Sequence, residues 1–88
     1  MQKTELQLQP MSKVKMIWDF KGPNAEAIAK HHVVHLNEFI LSEAIEDAFA
    51  ESLKLTEMYT QAFLVVPERY THELRKRLKP HRGQRYVE

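Results

Sequence analysis

The 88-residue chain has no cysteine, only two glycines, and no apolar run approaching the roughly 18 to 20 residues that cross a bilayer. Without cysteine there is no disulfide, no thiolate nucleophile and no Cys-ligated zinc. Two glycines leave no material for a Gly-rich phosphate loop. The N-terminus carries no apolar stretch of the signal-peptide kind, so the expectation is a reducing, cytoplasmic setting away from the membrane. Nor is there an excess of one charge, since the formal net charge is +1.

What is present is 43% apolar and 28% charged residues, which is the composition of a folded domain rather than of a disordered one. Residues 1–10 read as a flexible N-terminal extension and 11–88 as a single α+β domain. A domain of about 60 residues buries only about 60% of its unfolded surface, so a chain a little longer still has a thin core. Self-association is the natural remedy.

The small net charge hides two halves. Residues 22–66 hold seven carboxylates against Lys30 and Lys54, a net of −5, whereas residues 67–88 hold seven cations against three carboxylates, a net of +4. Such asymmetry marks either an anion-binding surface or two faces of one oligomer.

From Lys13 to Lys21 the chain alternates: Val14, Met16, Trp18 and Phe20 on one side, Lys13, Lys15, Asp19 and Lys21 on the other, with Ile17 the exception. Period two predicts a half-buried strand. Gly22-Pro23-Asn24 breaks it, and Asn24 is the expected cap of a helix with Glu26 in its first turn. In that helix Ala25, Ile28, Ala29, His32, Val33, Leu36, Phe39 and Ile40 form the core-facing stripe. Ala27, Val34 and Leu41, spaced by seven, form a second stripe on the opposite side. Residues 42–57 fit either a continued helix to about Leu53 or a strand preceding a hairpin. Tyr59 to Val66 is a clear strand, rich in β-branched and aromatic residues and apolar on both faces. Pro67 is expected to open a basic last helix, Pro80 to end it, Gly83 to allow a turn, and Arg85-Tyr86-Val87 to add a short edge strand.

That order is the β-α-β-β-α-(β) unit of a ferredoxin-like sandwich, an antiparallel sheet with two helices on one face. The fold hosts unrelated functions, so it names none.

Three sets of residues compete for function. His31 and His35, four apart, share one flank of the helix with Glu38, and two helical imidazoles at that spacing reach one zinc ion. A metalloprotease motif would place Glu directly after the first His, where His32 stands. Glu38, His72 or His81 would have to supply a third ligand; the plainer meaning is a pair of boundary histidines bonded to Glu38. The second set is cationic: Arg69, Arg75, Lys76, Arg77, Lys79 and Arg82 would neutralise phosphates without reading bases. Ala62-Phe63-Leu64 resembles the centre of the RNA-recognition motif, but Gln61 and Val66 stand where aromatics belong, which disfavours nucleic acid as a partner. The third set is an interface: Ala27, Val34 and Leu41 on the helix, with Tyr59, Phe63 and Val65 on the two-sided strand, would meet a second copy. The leading expectation is a cytoplasmic homo-oligomeric binding or regulatory module without catalysis or cofactor. The alternative is a binding or enzymatic site for a small-molecule ligand, or for zinc or another divalent metal, at His31, His35 and Glu38.

Overall fold

The computed structural model describes residues 12–87; the N-terminal extension expected at 1–10, and residues 11 and 88, lie outside the described residues. Strand β1 (Lys13–Lys21) is followed by helix α1 (Ala25–Ser42), strands β2 (Phe49–Thr56) and β3 (Tyr59–Pro67), a 3-10 turn at Glu68–Tyr70, helix α2 (Thr71–Leu78) and strand β4 (Arg82–Tyr86). The four strands form one antiparallel sheet in the order β2-β3-β1-β4. Among the described residues no helix is long and apolar enough to cross a membrane.

The alternation of β1 decides what each side of the sheet meets. Met16 and Trp18 turn toward the helices and join Ala62, Leu64 and Val66 of β3, Ala29 and Leu36 of α1, and Leu74 of α2 in the main core. Both helices therefore draw on one apolar layer. At roughly 25 cal/mol per Å² of apolar area removed from water, this layer is the main term holding the helices to the sheet. The Trp18 indole N–H donates to the Leu78 carbonyl at 3.3 Å, tying β1 to the end of α2. Arg77 of α2 forks onto Glu43, just past α1, through two bonds of 3.2 Å, and its guanidinium lies over the Phe39 ring.

The ambiguous stretch after Leu41 resolves into a stop and a strand. Glu43 ends the helix, Ala44 takes the left-handed conformation (φ 54°), the Ala44 N–H donates to Leu41 O at 3.2 Å, and the Ile45 N–H donates to Ile40 O at 3.1 Å. This pair of reversed bonds is a Schellman cap, and its apolar contact is supplied by buried Ile45 next to Ile40. Ala44 fills the place where glycine is usual, at a cost of roughly 1–2 kcal/mol. Asp47 is also left-handed (φ 57°), and β2 then pairs with β3 from Phe49 onward. Helical spacing in 45–53 is overridden because the chain has already turned back along the sheet.

Three local expectations need correction. Asn24 is the N-cap as expected, but its side chain makes no capping hydrogen bond; its carbonyl accepts the Ile28 N–H, and Gly22 O accepts the Ala25 N–H. Pro67 does not open the helix but closes β3, opposite Lys13, and α2 begins at Thr71 after the 3-10 turn. Gly83 is not in a turn: it lies within β4 opposite Met16, where an added Cβ would be in ordinary contact with the Lys15 carbonyl at 3.7 Å.

Candidate functional site

The side of the sheet away from the helices carries Lys13, Lys15, Ile17, Asp19 and Lys21 of β1 and Tyr59, Gln61, Phe63 and Val65 of β3, by the pairing register. Its apolar half forms a second, smaller core of Ile17, Phe63 and Val65, with Phe49 and Tyr86 packed against it. Phe49 comes from one edge strand and Tyr86 from the other, yet their rings meet edge to face at 5.9 Å, and Phe49 also meets Phe63 at 6.4 Å. The Lys15 ammonium lies 4.2 Å from the centre of the Phe63 ring, its stem covering apolar surface. The chain thus buries much of this face by itself: Val65 is 0% exposed and Phe63 9%.

The other half of the same face is a polar network. Asp19 Oδ1 accepts from the Tyr59 hydroxyl at 2.5 Å and from Arg82 Nη2 at 3.1 Å, and its Oδ2 accepts from Arg82 Nε at 3.0 Å. Gln61, itself buried, donates to the Tyr59 oxygen at 3.2 Å. The Asp19 backbone N–H donates to His81 Nδ1 at 2.9 Å, which puts the ring proton of neutral His81 on Nε2. The Arg82 fork, with the bonds from Tyr59 and Gln61, holds the Asp19 carboxyl down to about 2, against the upward push of partial burial. Sequence reading missed this network because Asp19 and Arg82 are 63 residues apart. The only local signal was an acid on the solvent side of a lysine-rich strand.

The histidines divide by helix face. His31 Nε2 and His35 Nε2 stand 3.0 Å apart with their rings at 89°, exposed to solvent. Glu38 Oε1 lies 3.3 Å from His35 Nδ1, on the far side of that ring from His31. Glu38 therefore does not join the two imidazoles around one point, and His72 lies on α2 and His81 in the connection between α2 and β4. Among the described residues no group of three His, Cys, Asp or Glu side chains is placed to hold a metal ion. His32 faces inward as expected, edge-on to Trp18 at 4.7 Å and to Phe20 at 5.6 Å. Its Nε2 is buried without a partner, and burial pushes its pKa below the ordinary 6.5, with the neighbouring histidines adding to the effect. It is a neutral core-edge residue at pH 7.

The six expected anion-binding cations do not form one patch. Arg77 is committed to Glu43 and Glu73, Arg82 to Asp19 on the sheet, and Arg69 lies over the Tyr70 ring. That leaves Arg75, Lys76 and Lys79 exposed around the last turn of α2, where the dipole favours them. The expected interface also separates. Tyr59, Phe63 and Val65 belong to the sheet face away from the helices, whereas Val34 (52% exposed) and Leu41 (80%) lie with Ala27 on the outer side of α1. No single two-fold contact uses both.

No protein-family model matches the chain, and neither the curated proteins nor the solved structures contain a match to it.

Proposed function

We propose that this chain is a small homo-oligomeric binding or regulatory module of the cytoplasm, built as a ferredoxin-like sandwich and carrying no catalysis of its own. The strand order β2-β3-β1-β4, with a helix after β1 and another after β3, supports the ferredoxin-like reading. The cysteine-free composition suits a reducing compartment.

The observation that carries the oligomer is the apolar stripe on the outer side of α1. Leu36, Ala29 and Ala25 are buried beneath the helix, while Ala27, Val34 and Leu41 are exposed about half a turn away. These three positions repeat every seven residues, so they line up along one side of the helix. A two-fold antiparallel pair centred on Val34 sets the small Ala27 of each copy level with the large Leu41 of the other, so the surface is complementary to itself. A second copy of this chain is thus the occupant that fits.

The Asp19 network supports a structural rather than catalytic role for its members, because the carboxylate already accepts from Tyr59 and from the Arg82 fork. Light scattering on eluting protein tests the proposal. Wild type should run as a dimer and Val34→Glu as a folded monomer; a wild-type monomer at every concentration overturns it. Phe63→Glu is not an equivalent test, because Phe63 belongs to the second core and its loss would damage the fold.

A further inference from the structure

We infer that His31 and His35 form one half of a binding site for a borderline divalent transition metal of the zinc or nickel class, completed by the same pair on a second copy of this chain. The inference rests on the α1-to-α1 pairing proposed above. Two nitrogens each about 2.05 Å from a tetrahedral ion stand about 3.3 Å apart. The two Nε2 atoms are 3.0 Å apart without any ion, so a separation of a few tenths of an ångström admits one.

The proton position of His35 favours its Nε2. Glu38 Oε1 is 3.3 Å from His35 Nδ1, so the proton of neutral His35 is drawn to Nδ1 and the Nε2 lone pair faces His31. In the metal-free chain the 3.0 Å contact then keeps the His31 proton on Nε2, and ligation moves that proton to His31 Nδ1. Metal-ligating histidines commonly give their other N–H to a carboxylate, which fixes the ring and raises its basicity. Glu38 is then the positioning residue of the site and not one of its ligands. The sequence had grouped all three as ligands; the geometry gives them two different tasks.

Two nitrogens leave a tetrahedral ion half satisfied, and the described residues supply no third ligand beside them. Symmetry supplies the rest. Seen down α1, His31 and His35 lie about 60° and 100° from the line of Val34, both on the same side of it. In a two-fold antiparallel pair, like flanks meet, so the histidines of the two copies come to the same edge of the seam. The middle of the pair is one residue from Val34, so the two pairs are offset by only about 3 Å along the helices. Imidazole nitrogen suits zinc, nickel and copper, whereas magnesium and calcium prefer oxygen.

The test uses the untagged full chain, stripped with chelator and titrated with zinc chloride in a calorimeter, with magnesium chloride as the control. Light scattering is run in parallel with and without zinc. The expected result is zinc binding that saturates at one ion per two chains, with no response to magnesium. His31→Ala/His35→Ala should remove it, and Glu38→Gln should weaken it by about tenfold without abolishing it. Both histidines are exposed, so circular dichroism of the variants should match wild type. Absence of a histidine-dependent signal overturns the site. Saturation at one zinc per chain on a monomer overturns the shared geometry, and loss in Glu38→Gln as complete as in the double variant overturns the positioning role. The metal-free mass judges the helix pairing separately: a metal-free dimer indifferent to zinc sinks this inference alone, while a metal-free monomer that zinc dimerises sinks only the metal-independent pairing.

Discussion

Replacing Asp19 with asparagine keeps the shape of the side chain and removes the charge on which the network of the sheet face converges. The Asp19 carboxyl falls from 3.8 to about 2 in the folded chain, mainly through the bond from Arg82. A fall of about 1.8 at 1.36 kcal/mol each sets a ceiling near 2.5 kcal/mol. Solvent lowers it, because the Arg82 side chain is 46% exposed although that of Asp19 is only 19% exposed. We therefore expect Asp19→Asn to cost about 1–2 kcal/mol at pH 7, measured by urea denaturation with unchanged slope. The sign with pH follows from the lowered value. A carboxyl more acidic in the folded than in the unfolded chain stabilises fully above about pH 4, and that contribution disappears as the pH falls from there through 2. The gap between wild type and variant should thus hold constant from pH 7 to about 5 and narrow below 4. A variant as stable as wild type at pH 7, or a gap that persists undiminished at pH 2, would refute the reasoning.

Two further expectations follow from the backbone and the second core. Ala44→Gly should raise stability by about 1 kcal/mol, because it relieves a left-handed residue in the cap of α1 (φ 54°); thermal denaturation would show it as a rise of about 4–8 °C, and a fall would mean that the cap is not formed as described. Phe49→Ala and Tyr86→Ala should each cost roughly 1–3 kcal/mol, with a coupling of about 0.5–1.5 kcal/mol in a double-mutant cycle. Strict additivity of the two would show that the rings, 5.9 Å apart here, do not meet in solution.

The elements that sequence reading located well are those whose partners are implied by local period. The alternation of β1 sorted Met16 and Trp18 from Lys15 and Asp19 correctly, and the α1 stripe placed Leu36 and Ala29 inward. Where local pattern was degenerate, a tertiary feature decided: residues 45–53 carry both periods, and the reversed bonds at Ala44 and Ile45 select the strand. Pro67 fits the first turn of a helix or the end of a strand equally well, and its pairing with Lys13 chose the latter. The apolar character of β3 on both faces suggested a second chain stacked on the sheet. It is met at least in part within one chain, because Phe49 and Tyr86 reach across from opposite edges, which no window of consecutive residues reveals. The Asp19 network was hidden for the same reason. The His31 and His35 spacing was legible at once, but the task of Glu38 depended on which imidazole nitrogen it faces.

The proposal that this chain works as a dimer through α1 is tested most directly by its mass in solution without metal. Light scattering across a wide concentration range should give twice the chain mass for wild type, and the chain mass for Val34→Glu with its circular dichroism unchanged. A wild-type protein that stays at the chain mass throughout, or a Val34→Glu variant that remains dimeric, would contradict it.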